Sequence, residues 1–160
     1  IRAQRRREQR PAGGGSDPVG EIGEGMQREA RLALEAVMLP QVLPAHGVVF
    51  NAGDRDRDLL VVVSGHITLV TQWPPERGLR LATVGPGMVF GEMAFLNGAE
   101  RSASAGAERG AARLMRLPRE RFDGWARQYP EAGLILMENL AQMGARRLAV
   151  TTRQLRSMLE

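Results

Sequence analysis

The chain contains no cysteine, which excludes disulfide bonds and thiolate metal sites. The absence of disulfides fits a reducing compartment, and we expect a cytoplasmic protein. Long apolar runs are missing as well, because the longest unbroken aliphatic stretch is Leu59 to Val63. A membrane-spanning helix needs about 20 apolar residues. The chain is therefore predicted to contain no membrane span.

Histidine is nearly absent, with His46 and His66 as the two residues of this type. Neither belongs to a pattern of Asp, Glu or His at metal-ligand spacing, so both are interpreted as surface or strand residues. The run from Asp54 to Asp58 alternates Asp with Arg but lacks the glycine and the terminal Glu of a calcium loop, which favours a structural turn. No serine lies in a recognisable motif with a His or Lys base. We predict no metal site, no resident cofactor and no catalytic residue.

Lysine is absent too, and all 22 basic residues are Arg, a bias that genome composition can produce as readily as function. The net charge of +4 lies entirely in residues 1–11, where five Arg stand against one Glu. The remaining 17 Arg are balanced by 17 acidic residues. We therefore expect a solvated basic tail rather than a folded nucleic-acid-binding domain. The alternative is an arm that touches RNA, DNA or anionic lipid.

The first 25 residues combine the Arg cluster with a Gly-rich stretch and carry too little apolar surface to order themselves. This composition predicts a disordered basic and Gly-rich tail or linker over residues 1–25 and one folded domain over residues 26–160. The chain starts with Ile1 rather than Met. Together with the charged tail, this start leads us to expect a part of a longer protein, with an effector domain upstream.

The middle of the chain consists of short apolar segments separated by Gly and Pro turns, which is typical of an antiparallel sandwich or jelly roll. The predicted strands are Val48 to Phe50, Leu59 to Val63, His66 to Thr71, Leu79 to Val84, Met88 to Phe90, Ala103 to Ala105 and Ala112 to Leu117.

Helical spacing flanks these strands on both sides. A helix is predicted from Met26 to Leu39, where Pro40 stops it, and two more follow from Pro118 to Gln128 and from Pro130 to Leu159. The fold class is therefore mainly β, an antiparallel jelly-roll or β-roll barrel with an N-terminal helix and two C-terminal helices.

The stretch from Phe90 to Ser104 has the pattern of an anion site. Gly91 allows a sharp turn, and Glu92 to Leu96 can form a short helix whose first backbone N–H groups suit an anion. Arg101 returns on the next strand, where its forked guanidinium can bind two phosphate oxygens. Glu92 would repel an anion at the same place, so it fits better as an acceptor for a sugar hydroxyl. An ion pair between Glu92 and Arg101 is the alternative.

At these residues the chain resembles the cyclic-nucleotide-binding domain family, which includes the regulatory subunits of protein kinase A, cyclic-nucleotide-gated channels and the bacterial catabolite activator protein. The family's phosphate-binding cassette begins F-G-E and ends R-A/S/T-A-S/T. It is matched in register by Phe90 to Ala94 and by Arg101, Ala103 and Ser104. The resemblance covers about Leu43 to Leu159 and includes upstream matches at Gly53-Asp54, Asp58-Leu59 and Val63-Ser64-Gly65-His66-Ile67.

The resemblance implies a non-catalytic regulatory module that binds cAMP or cGMP, with cAMP favoured as the commoner bacterial ligand. It implies that Glu92 accepts a hydrogen bond from the ribose 2′-hydroxyl and that Arg101 pairs with the exocyclic phosphate oxygens. Ser102 would bond the phosphate and could also hold a guanine amino group. Glu100 stands where many members have Pro. The ligand-binding residues implied are Gly91, Glu92, Met93, Ala94, Arg101, Ser102 and Ala103.

The final helix carries Leu134, Ala141, Leu148 and Leu155 seven residues apart, a spacing that suits a homodimer seam. For the first half of the helix, packing on the domain's own barrel is the alternative. Family behaviour implies that bound ligand draws the last two helices toward the barrel, with part of residues 135–148 capping the base. The apolar side chains expected to face the base are Leu136, Leu140 and Met143.

Two other functions remain open from the sequence. A cupin-like jelly-roll enzyme would need clustered His and Glu ligands, and two distant histidines are too few. A degenerate barrel that binds no nucleotide could serve as a dimerisation module. No helix-turn-helix follows the final helix in this sequence, so we do not expect this chain alone to act as an activator-type transcription factor.

Overall fold

Eight strands in the described part of the chain form two antiparallel sheets of four strands each. The structure is a computed structural model, and it describes residues 17–159. In chain order the elements are α1 (Arg28–Val37), β1 (Leu39–Leu43), β2 (Val48–Phe50), β3 (Leu59–Ser64), β4 (Ile67–Val70), β5 (Arg80–Val84), β6 (Val89–Phe90), α2 (Glu92–Asn97), β7 (Ser104–Gly106), β8 (Ala112–Leu117), α3 (Arg119–Gln128) and α4 (Pro130–Leu159).

The strand orders are β1-β8-β3-β6 in the first sheet and β2-β7-β4-β5 in the second. Strand β3 explains the layering, because successive side chains of a strand point to opposite faces. Leu60 and Val62 belong to the core between the sheets, whereas Leu59 and Val61 belong to the core beneath the helices. All four side chains are fully buried, which accounts for the unbroken apolar run in a strand covered on both faces.

The predicted fold class is confirmed in its sheets and in its flanking helices, α1 before them and α3 and α4 after them. The predicted barrel is not closed, since each sheet ends in two edge strands. One strand was missed by sequence reasoning: β1 contains Pro40 and directly follows the helical run. Its five residues pair with β8 at the edge of the first sheet, a position that tolerates proline because one side of the strand needs no partner.

The predicted tail boundary at residue 25 is wrong for residues 17–25, which form part of the folded domain. A short 3-10 helix spans Gly20–Gly23, and Val19 and Ile22 have no solvent exposure. These two side chains lie in the core shared by α1, α3 and α4. Two buried apolar side chains can hold a Gly-rich segment against the domain when they pack between neighbouring helices. Residues 1–16 of the predicted tail, with the Arg cluster, lie outside the described residues.

Hydrogen bonds to its backbone hold the same segment in place. The side chain amide of Asn139 on α4 donates to the carbonyls of Ile22 and Glu24, both at 2.9 Å. The Glu21 amide donates to the carbonyl of Gly87 at 3.1 Å. The segment therefore bridges α4 and the turn before β6. No helix within residues 17–159 is long and apolar enough to cross a membrane.

Candidate functional site

The turn from β6 into α2 depends on glycine. Gly91 has φ of +81°, in the left-handed region, and α2 ends at Gly98 with φ of +72°. A Cβ atom on Gly91 would lie 2.7 Å from Nη1 of Arg101 and 3.1 Å from the carbonyl oxygen of Asp58. Any other residue would therefore push the guanidinium away from α2. The sharp turn expected from the sequence is present, and it brings Arg101 against the backbone.

An open cavity of about 200 Å³ lies beside α2. The seven residues that the family resemblance implies for ligand binding all line it. Beyond those seven, the wall is formed by Phe50, Leu69, Leu81, Glu100 and Arg147. The cavity therefore presents two arginines, two glutamates and an apolar wall.

Arg101 is the buried cation of this cavity, with 4% of its surface exposed. Its Nε and Nη2 atoms donate to the two carboxylate oxygens of Asp56 at 3.2 and 2.5 Å. Nη2 also donates to the carbonyl of Asp58 at 2.7 Å, and Nη1 donates to the carbonyl of Gly91 at 2.9 Å. The guanidinium lies 4.1 Å from the centre of the Phe50 ring. These contacts fix the fork in one orientation at the base of the cavity.

Asp56 is the counterion that makes a buried arginine tolerable, because an unpaired charge at this depth would be costly. Partial burial acts to raise the pKa of Asp56, but the hydrogen bonds and the positive charge of Arg101 outweigh it and lower the pKa below its usual value. Sequence reasoning interpreted Asp56 as part of a structural turn and missed this role. The alternation of Asp and Arg over residues 54–58 was the available signal.

Arg57 of the same run also serves the site. Arg57 donates to the carbonyls of Ala94 at 3.1 Å and Phe95 at 2.9 Å, at the C-terminal end of α2. Arg119, at the start of α3, donates to the same Phe95 carbonyl at 2.7 Å. Cations are favourable at a helix C-terminus because the last carbonyls carry partial negative charge. Two arginines from different elements thus hold the short α2 helix in its orientation.

Glu92 pairs with Arg147 of α4 rather than with Arg101. Nη1 of Arg147 donates to Oε1 of Glu92 at 2.5 Å, and Nη2 donates to the carbonyl of Val89 at 2.7 Å. The alternative of a Glu92–Arg101 ion pair is therefore wrong, since each of these two residues has another charged partner. Sequence reasoning missed Arg147 because it lies 55 residues from Glu92 along the chain.

The mouth of the cavity is more exposed than its base. Met93 and Leu81 are each 57% exposed, and Ser102 is exposed beside half-buried Ala103. Leu69 is partly buried and adds to the apolar wall. A flat apolar group entering the cavity would therefore meet aliphatic side chains at its rim, and an anionic group could reach the base.

The expectation that Leu136, Leu140 and Met143 face a ligand is wrong. All three are buried in the core formed with the 17–25 segment, α1 and α3. Helical spacing alone could not distinguish a face that packs on the domain from a face that caps a ligand. The residue that α4 contributes to the cavity is Arg147, one turn beyond Met143. Within residues 17–159, no three His, Asp or Glu residues are grouped closely enough to hold a metal ion.

A sequence model described as the cyclic nucleotide-binding domain matches residues 40–129. This span is more than half of the chain and includes all the cavity-lining residues except Arg147. The chain belongs to the cyclic nucleotide-binding domain family. It is accordingly a cyclic nucleotide-binding regulatory domain.

The chain is similar to parts of several longer proteins. The cyclic AMP receptor protein of Thermus thermophilus is 36% identical over 108 residues, which are 68% of this chain and 48% of that protein. Glutaminase 2 of Bradyrhizobium diazoefficiens is 40% identical over 100 residues, 62% of this chain and 15% of the glutaminase. The crystal structure of the T. thermophilus catabolite activator protein superimposes with a TM-score of 0.72 at 32% identity, covering 86% of this chain and 62% of that one. The matched region spans less than two thirds of the length of each of these relatives.

Proposed function

We propose that this domain binds cAMP in the cavity beside α2 and works as a non-catalytic sensor within a larger protein. The observation that carries the proposal is the convergence of the Gly91 turn, Glu92 and buried Arg101 on one open cavity. Arg101 binds the exocyclic oxygens of the cyclic phosphate, and Glu92 accepts a hydrogen bond from the ribose 2′-hydroxyl. Backbone N–H groups at the start of α2 complete the phosphate site.

The preference for cAMP over cGMP is proposed to be modest. The purine would lie against Leu69 and Leu81, and aliphatic side chains stack on either purine with few polar groups left unpaired by the wrong base. The hydroxyl of Ser102 serves the phosphate and does not decide between the two bases. A relative named cyclic AMP receptor protein supports cAMP as the preferred ligand.

Titration with cAMP and with cGMP tests the proposal. Calorimetry is expected to show binding in the micromolar range or tighter, with cAMP bound slightly more tightly. The melting temperature is expected to rise with ligand, since ligand at 100 times its Kd stabilises the folded state by about 2.7 kcal/mol. Linear 5′-AMP serves as the control, because it retains the base and ribose without the cyclic phosphate. No shift at millimolar cAMP and cGMP would refute nucleotide binding, and a tenfold preference for cGMP would refute the ligand choice.

Signalling is proposed to run through α3 and α4, because both helices contact the cassette. Arg119 of α3 holds the C-terminal end of α2, and Arg147 of α4 pairs with Glu92. A ligand that binds better to one position of these helices shifts the population toward that position.

The partner that responds to this shift is proposed to be an effector domain of the same cytoplasmic protein, upstream of this chain. The match to only 15% of glutaminase 2 illustrates a domain of this kind within a much longer protein, and gives no ground for assigning catalysis to this chain.

The second half of α4 is proposed to pair with the same helix of a second copy. The four residues spaced seven apart along α4 form a stripe on the helix surface. Three of them, Leu134, Leu148 and Leu155, are 61%, 68% and 56% exposed. The first half of α4 does pack on its own domain, but through a different face, so the stripe is left exposed along its length. Its spacing suits a second helix of the same chain.

Sedimentation velocity is expected to show a dimer that dissociates when Leu148 and Leu155 are both changed to Glu. The change buries like charges in the seam and should leave the monomer folded, since neither side chain contacts the core. Leu32→Glu is the control, because Leu32 is 51% exposed on α1. A parent protein that stays monomeric at concentrations of hundreds of micromolar would contradict the proposed dimer.

A further inference from the structure

Phe50 is the aromatic residue of the cavity wall, and its ring lies against the buried charge of the site. Cζ of Arg101 lies over the ring, 4.1 Å from its centre. We infer that Phe50 is a positioning residue for the phosphate site, because its ring holds the Arg101 guanidinium in place before the ligand binds. The inference rests on the proposed function and adds to it a residue from the second sheet.

The hydrogen bonds of Arg101 hold the guanidinium only at its edges. All the N–H groups of a guanidinium point outward within its plane. Those of Arg101 donate to Asp56, Asp58 and Gly91. The Phe50 ring contacts the group through Cζ, which has no hydrogen to donate. The ring therefore supplies a contact that the hydrogen bonds cannot replace.

Burial strengthens the contact between the ring and the charge. Arg101 is 4% exposed and Phe50 is 6% exposed, so the two groups are largely removed from water. The face of an aromatic ring carries partial negative charge, and its attraction for a cation grows when both groups are desolvated. An aliphatic side chain of similar size would fill the same space without attracting the guanidinium. The aromatic character of Phe50, in addition to its volume, therefore holds Arg101.

Phe50 reaches the cassette from β2, in the second sheet. Its ring also packs against Phe90, with the ring centres 6.0 Å apart and the ring planes at 42°. Phe90 ends β6, directly before the Gly91 turn, whereas Arg101 follows α2. One side chain therefore contacts both ends of the cassette. Because β2 pairs with β7 through Phe50 and Ala105, the position of the ring is set by the sheet and needs no ligand.

Phe50 also belongs to the core between the sheets, so a change in stability alone would not test its role at the site. Ile67 lies in the same core, has no exposed surface and lies outside the cavity wall. Ile67→Val is therefore the matched control, because it removes apolar volume from this core without touching Arg101. Urea denaturation of each variant without ligand measures the cost to the fold.

The affinity for cAMP, measured by calorimetry, tests the inference. Phe50→Leu is expected to weaken binding by about five- to tenfold, because the ligand must then order the Arg101 side chain itself. Ile67→Val is expected to bind within about twofold of the parent. In an Arg101→Ala background, adding Phe50→Leu should change the affinity by less than about twofold, because the ring acts through the guanidinium.

Exchange of the Arg101 Nε–H proton with water, followed by NMR, tests the positioning without any ligand. In the parent this proton donates to Asp56 in a buried site, and a slowly exchanging signal is expected that Arg101→Ala lacks. In Phe50→Leu the exchange should be at least about fivefold faster, since the guanidinium leaves its site more often. The measurement on the parent does not depend on whether Phe50→Leu folds.

The outcomes separate this inference from the proposed function. If the parent binds neither nucleotide, the proposed function fails, and the exchange rates still test whether Phe50 positions Arg101. If the parent binds cAMP and Phe50→Leu binds it within twofold of the parent, the proposed function stands and the role of Phe50 is refuted. An equal loss of affinity in the Arg101→Ala background would also refute it, because the ring would then act independently of the guanidinium. An Nε–H proton that exchanges in the parent as fast as that of an exposed arginine would show that Arg101 is not held.

Discussion

Replacing Arg101 with alanine is expected to weaken cyclic nucleotide binding by about 2–5 kcal/mol, because a buried, charge-assisted pair with the phosphate is lost. Each 1.4 kcal/mol corresponds to about a factor of ten, so the affinity should fall at least about 30-fold. The effect should exceed that of any neighbouring substitution, since Arg101 is 4% exposed and lies at the base of the cavity.

The same substitution also removes the partner of Asp56, whose side chain is 32% exposed and can be rehydrated. We therefore expect the variant to fold, and calorimetric titration with cAMP can measure its affinity directly. Arg101→Lys keeps the positive charge without the fork and should recover part of the affinity. Arg55→Ala, at an exposed arginine in the same region, is the control and should bind as the parent does. Binding by Arg101→Ala within threefold of the parent would show that Arg101 does not hold the phosphate.

Replacing Ile22 with alanine is expected to lower the free energy of unfolding by about 2–5 kcal/mol, the usual cost of truncating a fully buried aliphatic side chain. Ile22 has no exposed surface and lies in the core with α1, α3 and α4. Removing residues 1–25 deletes Ile22 and Val19 together, so this truncation should lower the melting temperature as well. A disordered tail over residues 1–25, as the sequence predicted, would leave the melting temperature unchanged on truncation.

Urea denaturation without ligand measures the effect of Ile22→Ala. Leu32→Ala is the control, because Leu32 is about half exposed on α1, and its free energy of unfolding should change by no more than about 0.5 kcal/mol. An Ile22→Ala variant as stable as the parent would mean that the segment from residue 17 to residue 25 contributes nothing to the core.

The segments with clear local patterns were predicted well. The Leu59–Ser64 strand, the Pro118 start of α3 and the Gly91 turn each depend on residues a few positions apart, and each lies within a residue of its expected place. The misses were of another kind. β1 was hidden by Pro40, and the buried Val19 and Ile22 were hidden by the glycines around them.

The sequence by itself determined the mainly β fold and the flanking helices, because these follow from local periodicity and turn residues. The seven residues expected around the ligand came from the resemblance of a contiguous cassette to the family. The tertiary structure decided which charges meet. Asp56 and Arg101 are 45 residues apart along the chain, and Glu92 and Arg147 are 55 apart. It also decided which face of α4 is buried, since an apolar stripe packs equally well on a core, a ligand or a second helix. Only the pairing of β3 with β6 and β8, and the packing of α4 beside them, brings these distant side chains to one cavity.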